Sequence, residues 1–294
     1  GSATGSLALD ASQLKALVRL LQEAVMDSTH QTATFALIRT LITRRVLVTE
    51  MYDLMDRIAE IMVKSLRPAA REMAGEIFLR FLIYYPMGEK RLNHHMQQPV
   101  RNLDYVHTAG RLSALELVAT IVQRLPEPVL DSYAELIFLP TILRLANDED
   151  AGCKSVAATA LKTLLKRVSQ GVFNGLMQFV KDWLKLVETQ PNGPNGSGGA
   201  EEPAGWSDDE EEDGGMMENP AERQRALQQA VLVRTAAQVS GFFVEARPDL
   251  IKKASSGGGG GAEAPEGDKK GGVAVVGLLR SMGLILRQSR RSGT

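Results

Sequence analysis

Cysteine is almost absent: Cys153 is the single one in 294 residues. That excludes an internal disulfide framework and fits a reducing compartment. Aromatic residues make up only 5% of the chain, which suits helices packed through Leu, Ala and Val. No apolar run approaches the roughly 18 residues needed to span a bilayer, and the first residues carry no signal-peptide pattern, so no membrane role is expected. No convincing alternating strand pattern appears either. Basic residues are missing from 188–220, which holds ten acidic ones. Setting those ten aside leaves 25 acidic residues against 34 basic, so the net charge of −1 conceals a body of about +9. Such a body favours anionic partners, nucleic acid or acidic protein.

The signatures of catalysis are also missing. The run 257–261 of five glycines lacks the Gly-Lys-Ser/Thr of a phosphate loop and joins no strand to a helix. No Ser stands in a Gly-x-Ser-x-Gly context, and the lone thiol has no His partner in the pattern. We expect no enzyme activity, no cofactor and no small-molecule substrate. His94-His95 invites a metal reading, but adjacent helical residues point about 100° apart, whereas a helical metal pair is spaced by three or four. No Cys or clustered carboxylate completes a site, so the pair reads as a surface or RNA-facing one, no metal site is expected, and His107 reads as a loop residue.

What is present is a unit. Cys153, Ala157, Ala160-Leu161 and Leu164 fall on one helical face, small where a neighbouring helix must come close. Asp148 stands before it as a helix N-cap candidate, and a basic residue, Lys154, follows the first apolar position. The same register recurs as Ala70-Arg71, Ala74, Ile77-Phe78, Phe81, and as Gly110-Arg111, Ala114, Leu117-Val118, Ile121. Val233-Arg234, Ala237, Ser240-Gly241, Val244 matches near the end, and Thr29-His30, Ala33, Ala36-Leu37 opens the series in degraded form. The anchoring alanines 33, 74, 114, 157 and 237 are separated by 41, 40, 43 and 80 residues. A period near forty built from two helices indicates a HEAT or armadillo solenoid. In that register Cys153 is a small packing residue rather than a reactive thiol.

The fold class is therefore all-α, an α-solenoid of about five repeats with disordered insertions. Residues 1–187 hold four and a half helix pairs. The expected helices start near Ser12, near Thr32, at Thr49, at Pro68, near Glu89, at Thr108, at Leu130, at Glu149 and at Gly171. Pro68 suits a first helical turn, and Pro126-Glu127-Pro128 marks a turn. The first helix should bury Leu14, Leu17, Leu20-Leu21 and Ala24. Residues 188–218 form an acidic insertion, rich in Gly, Asn and Pro, too poor in apolar residues to offset ordering. It accounts for the gap of 80. Residues 219–253 supply the second helix of the fifth repeat, restarted at Asn219-Pro220. Residues 254–272 are a Gly-rich linker, and 273–294 a terminal helix with a basic tail.

Two groups of charged residues have open roles. Arg71, Arg111, Lys154 and Arg234 either pair with carboxylates of a neighbouring repeat or form a ridge that meets phosphates. Lys162, Lys166 and Arg167, with Arg287, Arg290 and Arg291 of the tail, are the better nucleic-acid candidates. Ser207, followed by Asp208-Asp209-Glu210-Glu211-Glu212, fits an acidic-directed kinase, and the other reading of the segment is a solvated acidic tether.

One series of residues is more specific than the repeat. It runs Tyr85-Pro86-Met87-Gly88-Glu89-Lys90-Arg91-Leu92, then Val100-Arg101-Asn102-Leu103-Asp104-Tyr105, then Thr108-Ala109-Gly110-Arg111-Leu112-Ser113-Ala114-Leu115-Glu116. Ala134-Glu135-Leu136-Ile137-Phe138-Leu139-Pro140 and Leu143-Arg144-Leu145-Ala146-Asn147-Asp148 complete it. Over about 66–165 this order resembles the C-terminal half of the giant HEAT-repeat component of the small-subunit processome, the down-regulated-in-metastasis family. The acidic and Gly-rich insertions are peculiar to this chain.

The resemblance implies a nucleolar, non-catalytic scaffold in small-subunit rRNA processing. Its partners would be pre-ribosomal RNA, small nucleolar ribonucleoprotein and processome assembly factors. It also implies that the chain is a fragment of a longer superhelix, with apolar end faces near 14–21 and 273–286. The alternative is a generic HEAT-repeat adaptor that binds protein alone, of the transport-receptor or phosphatase-scaffold type, since a repeat pattern does not specify function.

Overall fold

The computed structural model describes residues 9–188 and 220–248. Most of the acidic insertion with Ser207, the Gly-rich linker, and the terminal helix with Arg287, Arg290 and Arg291 lie outside the described residues. The described residues form ten α-helices and one 3-10 turn, with no strand among them. The chain divides into two compact units, residues 1–173 and 174–294.

The first unit contains α1 (Ala11–Ala24), α2 (Gln31–Thr43), α3 (Glu50–Lys64), α4 (Pro68–Tyr84), α5 (Glu89–Arg101), α6 (Thr108–Arg124), α7 (Glu127–Asn147) and α8 (Ala151–Arg167). A 3-10 turn, Asn102–Asp104, follows α5. Local chemistry sets the boundaries. Asp10 and Gln13 form a capping box, with Gln13 N donating to Asp10 Oδ1 at 2.8 Å and Asp10 N to Gln13 Oε1 at 2.9 Å. Pro68 opens α4, where its missing N–H removes no intrahelical bond. α7 starts earlier than the Leu130 expected from apolar spacing, because Glu127 and Pro128 tolerate its first turn.

Helices α2, α4, α6 and α8 pack side by side in one layer, and α1, α3, α5 and α7 in the other. Each odd helix also packs on the even helix that follows it. Contacts between near neighbours alone are what an all-α solenoid requires, since no helix can bury its apolar face by itself. The shared core is filled by fully buried Phe35, Ile38, Leu54, Ile58, Phe78, Phe81 and Phe138.

The repeat register holds in α4, α6 and α8. Ala70, Ala74, Ile77, Phe78 and Phe81 are buried, as are Gly110, Ala114, Leu117, Val118 and Ile121, and Cys153, Ala157, Ala160, Leu161 and Leu164. It fails in α2. Ala33, Ala36 and Leu37 face solvent, and Gln31, Thr34, Phe35, Ile38 and Ile42 are buried instead. The stripe containing Phe35 and two isoleucines removes more apolar area from water than one of alanines, so it wins the core-facing side. α1 is shifted too: Val18, Leu21 and Val25 are buried, while Leu20, counted in its stripe from the sequence, is 63% exposed. Leu20 and the exposed Leu9 do leave apolar surface at this end.

The second unit contains the rest of α9 (Gln170–Glu188) and α10 (Pro220–Ala246). In α9, Leu176, Phe179, Val180 and Trp183 are buried. In α10 the expected stripe is again displaced. Val233, Arg234, Ala237, Gly241 and Val244 are exposed, and Thr235, Ala236, Val239, Phe242 and Phe243 are buried. The adjacent phenylalanines set the rotation.

Candidate functional site

Five of the residues that carry the family resemblance, Asp104, Tyr105, Arg111, Arg144 and Asp148, meet at one corner of the first unit, where the α5–α6 turn approaches the end of α7. Arg111 holds Asp148 bidentately, with Nε to Oδ2 at 2.8 Å and Nη2 to Oδ1 at 2.9 Å. Its Nη1 donates to the carbonyls of Tyr105 and Val106. Arg144 reaches Asp104 at 2.6 Å and lies 3.9 Å from Asp148 Oδ2. Asp148 is therefore not the N-cap of α8. It sits buried after the end of α7, and Asp150 caps α8 by accepting from Cys153 N at 2.8 Å. Burial alone would raise the Asp148 carboxyl, but Arg111 and the Asp150 N–H hold it below the usual range; Arg111 is pushed upward by the same pairing.

Two further motif residues set the backbone, Gly110 through shape and Tyr85 through hydrogen bonds. A Cβ on Gly110 would lie 2.5 Å from Tyr105 Cδ1 and 2.6 Å from the Val63 carbonyl oxygen, so glycine permits α6 to start against the end of α3. Tyr85 donates its hydroxyl to the Val46 carbonyl at 2.9 Å and accepts from Val48 N at 3.3 Å, pinning the α2–α3 loop beneath α4.

The basic positions of the repeat divide. Arg111 pairs across repeats as above. Arg71 Nε donates to Ser113 Oγ of the next repeat at 3.2 Å, and its Nη1 to the Ser65 carbonyl at 2.8 Å. Lys154 is half-buried, and Arg234 is exposed and off the repeat register. Of the α8 candidates, Lys166 is exposed and Lys162 half-exposed, one turn apart. Arg167 instead turns its guanidinium onto the carbonyls of Val122 and Leu125, closing the C-terminal end of α6.

The two adjacent histidines separate as helix geometry requires. His94 is exposed and His95 fully buried, so only one belongs to the surface. His95 is enclosed by the rings of Tyr52, Phe78 and Phe81. Asp56 of α3 lies beside both. His94 Nε2 is 3.1 Å, and His95 Nδ1 3.6 Å, from Asp56 Oδ1. Sequence reasoning missed this carboxylate, which stands 38 residues before His94. The signal was available, because helices of one layer bring residues about one period apart side by side. His107 ends the turn before α6, its ring against Tyr105.

Cys153 is buried, and burial pushes its thiol up to about 11, so it is protonated at neutral pH. An open cleft between α1 and α3 is lined by charges, among them Arg19, Glu23, Glu50, Asp53 and Arg57. The Glu50 carboxylate there is engaged by Arg19 and Thr49, both at 3.0 Å. This arrangement joins α1 to α3 and contains no nucleophile–base pair.

No family model matches the chain. Two curated proteins do: one from Schizosaccharomyces pombe, 26% identical over 181 residues, and one from Saccharomyces cerevisiae, 25% identical over 185 residues. Both carry the same name. The chain is similar to U3 small nucleolar RNA-associated protein 20. The similarity covers 62% and 63% of the chain, but only 7% of each relative's length. The resemblance read from the turn residues thus extends beyond 66–165. Among solved structures, an engineered protein matches 82% of this chain and 90% of its own at 12% identity, with a TM-score of 0.38, too distant to bear on the fold.

Among the described residues, no helix is long and apolar enough to cross a membrane.

Proposed function

We propose that this chain is a segment of a non-catalytic scaffold of the small-subunit processome. It helps to organise pre-ribosomal RNA and assembly factors in the nucleolus during small-subunit rRNA processing. The observation that carries this reading is the similarity to U3 small nucleolar RNA-associated protein 20 of two yeasts, over more than three-fifths of the chain. The all-α stack supports it, because a solenoid offers long surfaces for partners and needs no catalytic pocket. The charge of the body supports an anionic partner.

Within this role, Lys162 and Lys166 of α8 are the proposed phosphate contacts, with Arg287, Arg290 and Arg291 of the tail. Arg167 is set aside, since its guanidinium completes the end of α6. The acidic stretch around Ser207 is a proposed phosphorylation site.

Affinity purification of the full-length parent protein tests the main reading. Small-subunit precursor RNA and U3 small nucleolar RNA should co-purify, and their absence would sink it. A salt titration of binding to precursor RNA separates direct contact from contact through proteins. Direct contact gives a steep fall in affinity with salt, shallower when Lys162 and Lys166 are changed to Gln. A flat salt response leaves a scaffold that works through its protein partners, the behaviour expected of an adaptor.

A further inference from the structure

We propose that Asp56, His94 and His95 form a binding site for a divalent transition-metal ion of the zinc type, clasping α3 to α5. Two imidazoles and a carboxylate are ligands that zinc takes, with water completing the shell. One atom from each residue lies within 4.8 Å of the others. The distances from Asp56 Oδ1, 3.1 Å to His94 Nε2 and 3.6 Å to His95 Nδ1, bracket the edge of about 3.3 Å of a tetrahedron with bonds of ~2.0–2.1 Å.

A second observation points the same way. His95 is fully buried, yet neither ring nitrogen has a hydrogen-bond partner. Buried polar atoms are normally paired, so an orphaned imidazole needs a reason. Stacking on Tyr52, with centroids 5.9 Å apart, and edge contacts with Phe78 and Phe81 fix the ring in place but satisfy neither nitrogen. A metal on Nδ1 satisfies one of them.

The neighbouring groups permit the site. Gln98 Nε2 is 3.3 Å from Asp56 Oδ1 and 3.5 Å from His94 Nε2, and its amide can turn to present oxygen as a further ligand. Arg91 holds its charge over the Tyr52 ring, 4.5 Å from the centroid. The angular objection to adjacent histidines applies to one helix acting alone. It fails here because the carboxylate comes from the next helix of the layer and reaches both rings.

The experiment is calorimetric titration of the chelator-treated 294-residue chain with Zn2+, read beside its unfolding temperature. We expect one saturable equivalent and a rise in unfolding temperature. His94→Ala and Asp56→Asn should each weaken binding at least tenfold and abolish that rise. Both residues are partly exposed, so the metal-free variants should unfold near the wild-type temperature. The acidic stretch at 208–213 could also hold ions, and binding there would survive both substitutions. Binding that is unchanged in both variants, or no saturable binding by the parent chain, overturns the site.

Discussion

α8 and α2 occupy the same layer and show the same spacing in sequence, yet they bury opposite kinds of face. In α8 the small residues Cys153, Ala157 and Ala160 turn inward. In α2 the small residues Ala33 and Ala36 turn outward, and Phe35, Ile38 and Ile42 take the core. The difference lies in what competes on each helix. On α8 the opposite face carries Ser155, Thr159, Lys162 and Lys166, so the small stripe has no apolar rival. On α2 a bulkier stripe lies one position away, and the larger apolar area decides the rotation. Small residues mark a buried face only where nothing larger contends for it.

The largest test of this comparison is Phe35→Ala, expected to destabilise the first unit by about 3–4 kcal/mol through lost burial and a residual cavity. Ala33→Glu, two residues away, should stay within about 0.5 kcal/mol. Urea unfolding monitored by far-ultraviolet circular dichroism checks both. A large loss at Ala33 would restore the register that α2 lacks.

Next comes the corner that locks α6 to α8. Asp148→Ala strands the Arg111 guanidinium beside a buried gap and should cost about 3 kcal/mol, as removing one member of a buried pair does. Arg71→Ala, at the equivalent position of α4, loses bonds to Ser113 and a carbonyl rather than an ion pair, and should cost about 1 kcal/mol. Equal losses, measured as shifts in urea midpoint, would mean that the ion pair adds nothing to the ladder.

A third test uses pH. The His95 ring is neutral in the fold, its pKa lowered by burial from 6.5 to about 4. As pH falls, the unfolded chain therefore takes up a proton before the folded one does. Stability is intact above about pH 6.5 and declines toward pH 4, by about 2 kcal/mol near pH 4.5 after discounting solvent screening. His95→Met should flatten that part of the unfolding-midpoint profile. An unchanged slope would place the acid-sensitive group elsewhere.

The smallest effect should appear at Arg45, which ends α2 with φ of 52°. A β-carbon disfavours that left-handed backbone, so Arg45→Gly should stabilise by up to about 1 kcal/mol, seen as a higher melting temperature. A loss there would show that the arginine side chain makes contacts worth more than its strain.

Much of the fold was legible in advance. Helical periodicity, Pro68 and the turn at Pro126-Pro128 placed the helices close to where they lie. The middle register was legible because Ala74, Ala114 and Ala157 stand on helices with no rival stripe. Asp148 was misread because a cap candidate and a buried ion-pair partner look alike in one dimension. Asp150, two residues on, is equally able to cap. The three residues of the proposed metal clasp were only half legible: His94-His95 stands out in the sequence, whereas nothing local connects Asp56 to the pair.

The sequence by itself determined that the chain is helical, that its helices come in pairs about forty residues apart, and which known family its turn residues resemble. Those are matters of spacing and of residue type, which survive without coordinates. Tertiary structure decided which face of α2 and α10 is buried, that Arg71, Arg111 and Arg167 fasten one repeat to the next, and that a carboxylate reaches both histidines. Each depends on what lies across a helix interface. There the competition between apolar areas and the need to satisfy buried charges are settled by residues a full repeat away.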